Sequence, residues 1–425
     1  MSQAYIHQTA SLEEFTKKAL YWASGFETAC YFDSNNFADP YSAFDVLIAA
    51  DAARFIRCAA GNAFDQLNGF LKNSNTYLPG FLAYDLKNEI EDLESNNSDN
   101  LHFPDLYFFE PVHLILIKDG KIRVYSSHPK EILAEINNIE IPVNRDTGFD
   151  GTIQSRFKKA EYIRAVNDLQ AHIGHGDVYE VNFCQEFYAE GSRINPVNAF
   201  LELNRISPTP FSNFFKLGSK YIISATPERF LCRRGQKLIS QPIKGTSKRR
   251  HNKLQDEISK NELRENEKEL AENVMIVDLV RNDLTKSAVP GTVKVEELFG
   301  IYSFEQVHQM ISTVVCQADP TLSNSGILKN TFPMGSMTGA PKISAMNLIE
   351  KQEKTRRGIY SGAVGYFSPD GDFDFNVVIR SMLYNSENGY LSFQVGSAIT
   401  GDAVAEKEYK ECLLKAEAIF SLLDG

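Results

Sequence analysis

One lysine in the segment QPIKGTSKRR, residues 241–250, has neighbours that set it apart from the cations after it. Lys244 lies between Pro242, which restricts the backbone of a turn, and Gly245, which frees it. A free lysine has a pKa of about 10.4, so on the order of one molecule in a thousand carries the neutral amine at pH 7. Burial and nearby positive charge would both lower that pKa and make Lys244 a nucleophile. Taken alone, the favoured interpretation is a solvated basic run that continues with Lys248, Arg249 and Arg250.

Two glutamates on separate predicted helices could hold a divalent cation. Glu272 lies in a helix predicted over about 254–284, where charged residues give way to the apolar run VMIVDLV. Glu411 lies on a second amphipathic helix near the C-terminus. Two carboxylates suffice for Mg²⁺ when water and substrate oxygens complete its coordination. The alternative is a surface salt bridge, and Glu411 with Lys415 has the i,i+4 spacing of such a pair.

Three further features have both a functional and a structural interpretation. Arg380 lies in an apolar segment, NVVIRSM, where a buried guanidinium needs an acidic partner or a carboxylate ligand. His308, taken alone, is more typical of a hydrogen-bonded core histidine than of a catalytic one. The segment FPMGSMTGAPK, residues 332–342, lacks the spacing of a nucleotide-binding loop and is either an anion-binding turn or a structural loop.

Composition restricts the class of protein. The 425 residues carry a formal net charge of -11, which argues against nucleic-acid binding, so an anionic ligand would need local cations. The sequence has neither a signal peptide nor an apolar run of membrane-spanning length, and we expect a cytoplasmic protein without membrane contact. The cysteines lack C-x-x-C and zinc-site spacing and favour a reducing compartment; they are residues 30, 58, 184, 232, 316 and 412.

The chain is long enough for two cores or one large layered body. Its first part alternates short apolar runs with turns, which predicts a sheet with a few helices. A new unit begins after about residue 150 and ends in an antiparallel meander, with turns at PDGD and NSENG, followed by a helix. We therefore divide the chain into 1–150 and 151–425.

The ordered motifs resemble those of the chorismate-utilising enzymes, the family that includes anthranilate synthase component I, aminodeoxychorismate synthase component I and the isochorismate synthases. The similar stretches, from about Phe157 to the end, are GDVYEVNF, ATPERFL, PIKGT, AENVMIVDLVRND, GSMTGAPK, RRGIYSGAVGY, DFNVVIRS and EYKECLLKA. The resemblance implies an α+β fold in which two intertwined subdomains stack antiparallel β-sheets and carry helices on the outside. It makes 1–150 the family's N-terminal region and 151–425 its chorismate-binding catalytic domain.

Within the family that the sequence resembles, the motif PIKGT distinguishes enzymes that catalyse different reactions. Anthranilate synthases have alanine at the position of Lys244, whereas aminodeoxychorismate synthases have lysine. The resemblance implies that Lys244 adds covalently to ring carbon 2 of chorismate while Glu228 protonates the departing 4-hydroxyl. Ammonia then adds at carbon 4 and gives 4-amino-4-deoxychorismate, a precursor of p-aminobenzoate and folate.

The resemblance also implies the binding residues. Glu272 and Glu411 match Mg²⁺ ligands, and Tyr360 and Arg380 match residues that hold the enolpyruvyl carboxylate. The other positions implied to line the substrate site are Gly245, Thr246, His308, Thr338, Gly396, Ser397, Ala398 and Lys415.

Some residues depart from the family pattern. Position 180 is usually glutamine in the aminating enzymes and lysine in isochorismate synthases, whereas this chain has Glu180. A glutamate near Lys244 could accept its proton or hold it charged. The other departures are Met334, Ser381 and the segment GSAI at 396–399.

The resemblance leads us to expect a partner. No cysteine lies in a G-x-C-x-G-x-Q motif, so we expect a separate glutamine amidotransferase subunit to supply ammonia. Two alternatives to the aminodeoxychorismate reaction remain open: anthranilate synthase, and a non-catalytic paralogue that acts as a binding scaffold.

Overall fold

The computed structural model describes residues 4–142, 146–250, 252–305 and 307–424. Within these ranges the chain forms strands, α-helices and two short 3₁₀ helices, Tyr84–Leu86 and Gly335–Met337, which confirms the predicted α+β class. The strands are β1 (Tyr5–His7), β2 (Thr28–Asp33), β3 (Val46–Cys58), β4 (Leu78–Leu82), β5 (Leu106–Lys118), β6 (Lys121–Tyr125), β7 (Gln154–Ser155), β8 (Glu180–Ala189), β9 (Phe211–Leu217), β10 (Lys220–Thr226), β11 (Arg229–Arg234), β12 (Lys237–Gln241), β13 (Ile243–Lys248), β14 (Lys294–Ser303), β15 (Val307–Gln317), β16 (Gly339–Ala340), β17 (Ala363–Phe367), β18 (Phe373–Val377), β19 (Ser381–Asn385) and β20 (Tyr390–Ile399). The helices are α1 (Leu12–Ser24), α2 (Ala63–Lys72), α3 (Lys87–Ile90), α4 (Pro129–Asn138), α5 (Lys159–His175), α6 (Pro196–Ile206), α7 (Lys253–Glu265), α8 (Glu267–Thr285), α9 (Asn324–Thr331), α10 (Lys342–Gln352) and α11 (Ala405–Leu423).

The sheet has two arms, which are connected by the two long strands β3 and β5. β3 and β5 pair antiparallel along their length, with a register shift between Ala52 and Arg54 that lets the pair bend. One arm continues from β3 through β2, β9, β10, β19 and β20 to β8. The other continues from β5 through β4, β17, β18, β11 and β12 to β15, which also pairs with β13 and β14. Strands on either side of residue 150 therefore pair with one another in both arms.

The two arms enclose a common core. Phe81 of β4 and Phe215 of β9 belong to different arms, and their rings meet edge to face with centroids 5.3 Å apart. Along β2, Cys30 belongs to this inner core, whereas Tyr31 belongs to a second core with the helices α1, α5, α6 and α11. The alternation produces the stacked sheets with outer helices that the family resemblance implies.

The predicted single helix over about 254–284 is wrong, because the structure has two helices that meet at Asn266. The backbone of Asn266 is extended, with φ -71° and ψ 105°, and its side-chain oxygen accepts a hydrogen bond from the amide of Glu269. A side-chain cap of this kind satisfies the first amides of α8 and so favours a new helix start. The break lets α8 turn Glu272 into the interior, where it is 8% exposed.

Among the described helices, no segment combines the length and the hydropathy that crossing a membrane would require.

Candidate active site

A cavity of about 1060 Å³ lies where β13, β20, α8 and α11 converge. Its walls carry side chains of both signs, so charged groups of a ligand could find partners there. The predicted site residues that line it are Glu228, Lys244, Gly245, Thr246, Glu272, Tyr360, Arg380, Gly396, Ala398, Glu411 and Lys415.

The backbone of β13 is irregular at Lys244. Ile243 pairs with Ile311 and Thr246 with Gln309, so a bulge lies between them. Gly245 has φ +92°, and a Cβ there would approach side-chain atoms of Glu269 and Leu263 to 3.2 Å. The bulge therefore needs glycine after the lysine, which explains the order of residues in PIKGT.

Lys244 is paired with a buried acid. Its Nζ donates a hydrogen bond of 2.9 Å to Oε1 of Glu180, the first residue of β8. The Lys244 side chain is 11% exposed and that of Glu180 is 1% exposed. The proximity of the two residues, which the sequence suggested as a hypothesis, is confirmed.

The predicted lowering of the Lys244 pKa is wrong. Burial does lower the pKa of Lys244, but the carboxylates of Glu180 and Glu272, together with the hydrogen bond to Glu180, outweigh burial and raise it overall. The main charges that act on Lys244 are these carboxylates and that of Glu228, rather than the cations after it in sequence. Arg249, for example, is neutralised by Asp256 at 2.9 Å.

Glu228 follows β10 and faces the same cavity with its side chain almost fully buried. Burial raises the pKa of Glu228 to about 7, although the Ser336 hydroxyl and the Lys244 ammonium oppose the rise. A carboxyl group with this pKa is half protonated at neutral pH. It can therefore donate a proton where an ordinary glutamate could not.

Glu272 and Glu411 face the cavity from α8 and α11. Oε1 of Glu272 is buried without a hydrogen-bond partner in the described part of the chain, and burial raises the pKa of its carboxyl group. Oε1 of Glu411 lies 2.7 Å from Nζ of Lys415, the predicted i,i+4 pair. A buried carboxylate oxygen that accepts no hydrogen bond and lies 3.5 Å from the Lys268 ammonium, in a cavity with a second carboxylate, fits a site for a hard cation such as Mg²⁺.

Sequence reasoning missed three further charged residues at this place. Glu269 and Glu408 each lie one helical turn before a predicted metal ligand, and both face the cavity. Nζ of Lys268 lies 3.5 Å from Glu272 and 3.6 Å from Glu408. The signal was the repeated E-x-x-E spacing on two helices. The described His, Cys, Asp and Glu side chains form no group of three or more that could by itself hold a metal ion, so water and substrate would have to complete its coordination.

Arg380 was expected within a strand but lies between β18 and β19, in the left-handed region with φ +52°. Burial lowers the pKa of Arg380, and the described residues offer it no carboxylate within ion-pair distance. Within the described part of the chain, its guanidinium donates a single hydrogen bond, of 3.4 Å, to the carbonyl oxygen of Lys415. An unpaired guanidinium beside the buried Tyr360 is suited to a carboxylate ligand.

The strand edge at 396–399 is regular. Gly396 and Ala398 pair with Cys184 and Asn182 of β8, whereas β19 pairs with β20 only as far as Phe393. The edge beyond Phe393 has no strand beside it in the described ranges, so its polar groups remain accessible to the cavity. The carbonyl oxygen of Gly396 accepts a hydrogen bond of 2.8 Å from Nζ of Lys415.

Three predicted site residues do not line the cavity. His308 is buried, with Nδ1 2.8 Å from Ser303 Oγ and Nε2 3.1 Å from Asp256 Oδ1, as expected of a core histidine. The hydroxyl of Thr338 donates to carbonyl oxygens of its own turn, 332–338. Ser397 is buried beside the hydroxyl of Tyr162, because alternate residues of β20 face opposite sides.

The stacked antiparallel sheets with outer helices enclose a cavity lined by charges of both signs, an arrangement that suits a charged ligand. The chain belongs to the chorismate binding enzyme family, whose profile matches residues 16–421. This confirms the family resemblance and the predicted fold.

Curated relatives carry two different names. "Aminodeoxychorismate synthase component 1" of Klebsiella aerogenes is 33% identical over 349 residues, which cover 81% of this chain and 77% of that protein. "Anthranilate synthase component I-like protein" of Synechocystis sp. is 32% identical over 373 residues, which cover 83% and 75%. The crystal structure of anthranilate synthase component I from Streptococcus pneumoniae TIGR4 superposes with a TM-score of 0.78 at 25% identity, covering 90% of this chain and 93% of that one.

Proposed function

We propose that this protein aminates chorismate at carbon 4 with ammonia and releases 4-amino-4-deoxychorismate, and that Lys244 forms a covalent intermediate. The observation that carries the proposal is the placement of two buried groups of opposite role in one cavity. Lys244 supplies an amine, and Glu228 supplies a carboxyl group whose pKa is raised to about 7. An enzyme that adds ammonia directly would have no need of the lysine.

The first step breaks one bond and forms another. The neutral Lys244 amine attacks ring carbon 2, the two conjugated double bonds of the ring shift toward carbon 4, and the carbon–oxygen bond at position 4 breaks. The leaving hydroxide takes the proton of the Glu228 carboxyl group and departs as water. In the second step ammonia attacks carbon 4 and the Lys244 amine leaves carbon 2, so that the net change replaces hydroxide by an amino group.

Positive groups at the walls would hold the two carboxylates of chorismate. Arg380 and Tyr360 would bind the enolpyruvyl carboxylate, with the free edge at 396–398 beside them. Gly245 and Thr246 would line the ring carboxylate site. Glu272 and Glu411 would hold Mg²⁺, which when bound neutralises charge on the ring carboxylate. Desolvated cations of this kind let an acidic protein bind a dianion.

Ammonia would come from a separate glutamine amidotransferase. The name "component 1" of the Klebsiella aerogenes relative implies that this relative has a second component. All six cysteines of this chain are described, and each is buried rather than facing the cavity, so none is placed as a glutaminase nucleophile. Free ammonium at high concentration and alkaline pH should then replace the partner.

The test is mass spectrometry of the intact protein after incubation with chorismate and Mg²⁺ without ammonia. We expect a mass increase of chorismate less one water, located on Lys244. Lys244→Ala should abolish it, and Lys253→Ala, which removes an exposed lysine outside the cavity, should retain it.

Adding ammonium then identifies the reaction. Release of 4-amino-4-deoxychorismate supports the proposal. Release of fluorescent anthranilate, unaffected by Lys244→Ala, would indicate an anthranilate synthase. Absence of any turnover would indicate a binding scaffold.

A further inference from the structure

The carboxylate of Glu180 has one engaged and one free oxygen. Oε1 accepts the hydrogen bond from Lys244, whereas Oε2 is buried without a hydrogen-bond partner in the part of the chain that the structure describes. The backbone of Glu180 is fixed, because it pairs with Ala340 of β16 at the start of β8. Burial of a carboxylate oxygen without a hydrogen bond lowers the stability of the folded protein. A functional role for Glu180 would explain why the site contains it.

We propose that Glu180 is the base that takes the proton of the Lys244 ammonium before the amine attacks chorismate. This inference rests on the proposed function and adds a step before it. The proton moves from Nζ of Lys244 along the existing hydrogen bond to Oε1 of Glu180. This leaves a neutral amine and a neutral carboxylic acid, so no net charge is created in the buried pair.

The step is needed because the resting lysine is charged. Glu180 and Glu272 together hold the pKa of Lys244 above its ordinary value despite burial. A lysine in this state has almost no nucleophilic form at neutral pH. Activation must therefore occur within the site and at the moment of reaction.

Other groups around the lysine are unsuitable as the base. Glu228 must be protonated to act as the acid, Glu272 is a proposed Mg²⁺ ligand, and Glu269 faces the cavity one helical turn before Glu272 on α8. Lys415 on α11 carries positive charge. In the described ranges, Glu180 is the only carboxylate within 4.0 Å of Nζ of Lys244.

Glu180 and Lys244 also return to their starting protonation states at the end of the reaction. When ammonia displaces the lysine, Lys244 leaves as a neutral amine and Glu180 holds the proton it took. Return of that proton restores the starting ion pair without an external acid. A glutamine at this position could hold the lysine but not take its proton.

The experiment measures the single-turnover rate of adduct formation by rapid quench and intact mass, from about pH 6 to about pH 10. The variant is Glu180→Gln, whose amide oxygen can still accept the hydrogen bond from Lys244. We expect adduct formation about 100-fold slower or more at pH 7. The ratio of the variant rate to the wild-type rate should rise about tenfold per pH unit as the lysine loses its proton to water. Using the ratio cancels the titration of Glu228, which is common to both proteins.

The control is Glu190→Gln, which removes an exposed carboxylate just after the other end of β8 and should leave the rate unchanged. Circular dichroism and the Kd for chorismate establish that each variant is folded and binds. Should Glu180→Gln fail to fold, Glu180→Asp replaces it. That variant should react more slowly but keep the wild-type pH dependence.

The outcomes separate this inference from the proposed function. A Glu180→Gln protein with the wild-type rate and pH dependence would overturn the role of Glu180 alone. A variant that binds chorismate but is equally slow at every pH would also overturn it, because Glu180 would then only position the lysine. A wild-type protein that makes product without any adduct would overturn the covalent route, and this step with it.

Discussion

Glu228 and Arg229 are adjacent in sequence and both buried, yet Arg229 forms ion pairs with carboxylates whereas Glu228 is not held in its charged form. Arg229 donates hydrogen bonds of 2.6 to 3.3 Å to Asp39, Asp374 and Gln241, so its charge is fully compensated. Glu228 faces the cavity, and burial raises the pKa of its carboxyl group to about 7. Ion pairs thus hold Arg229 in its charged form, whereas the carboxyl group of Glu228 can change its protonation state.

The first prediction concerns the pH dependence of catalysis. Because Glu228 acts in its protonated form, the single-turnover rate of adduct formation should fall about tenfold per unit above about pH 7. Glu228→Gln cannot donate a proton, so its rate should be lower by about 100-fold or more at pH 6 and should not fall above pH 7, which narrows the difference from wild type as the pH rises. A Glu228→Gln rate that keeps the wild-type fall above pH 7 would assign that fall to another group.

The second prediction concerns stability. The pKa of Glu228 is raised from 4.5 unfolded to about 7 folded, so the folded state binds more protons between these values. The contribution of Glu228 to stability therefore falls as the pH rises from about 4.5 to about 7. Glu228→Gln should be more stable than wild type by roughly 3 kcal/mol at pH 8 and about equal to it near pH 4. Urea unfolding at both pH values measures this, and an equal difference at both would contradict it.

The third prediction concerns the ion pairs of Arg229. Arg229→Met leaves Asp39 and Asp374 without their main counter-ion and should lower the free energy of unfolding by about 3–5 kcal/mol. Arg205→Met is the control, because Arg205 is exposed and pairs with Glu202 at the surface. Thermal unfolding that shifts equally in the two variants would contradict this account.

The fourth prediction separates function from stability at Arg380. Arg380→Met removes the proposed partner of a substrate carboxylate and should lower kcat/KM about 10- to 100-fold. It also removes a half-buried charge that lacks an ion pair among the described residues, so the melting temperature should rise. Arg205→Met should change neither quantity. A fall in both activity and melting temperature would mean that Arg380 supports the fold instead.

The fifth prediction concerns Mg²⁺. Glu272→Gln removes one of two proposed ligands and should raise the Mg²⁺ concentration for half-maximal activity by about 10-fold or more. Direct titration calorimetry with Mg²⁺ gives a second measurement that does not depend on turnover. Asp278→Asn changes an exposed carboxylate on the same helix and should leave both values unchanged. Equal effects of the two substitutions would reduce the role of Glu272 to general electrostatics.

Much of the site was predictable because its residues lie in short, distinctive sequence motifs. PIKGT, TPERF and the two glutamate-bearing helices were assigned from the sequence, and their side chains meet in one cavity. The pKa of Lys244 was not predictable from its neighbours, since its dominant partner, Glu180, lies 64 residues earlier.

Other features depend on tertiary contacts. The left-handed backbone of Arg380 has no local signal, because only the packing around it can hold a non-glycine residue there. Lys268, Glu269 and Glu408 have the spacing of ordinary surface salt bridges, and only the convergence of α8 and α11 distinguishes them.

The pairing of β4 with β17 has a consequence for how the chain is made. β4 ends at Leu82, whereas its partner begins at Ala363, so most of the protein is synthesised before this edge of the sheet is covered. Until β17 has been synthesised, the apolar strand β4 of the nascent chain lacks its native partner on one edge. Such long-range pairing slows folding and exposes nascent chains to aggregation. The N-terminal region expressed by itself should therefore depend on chaperones or precipitate.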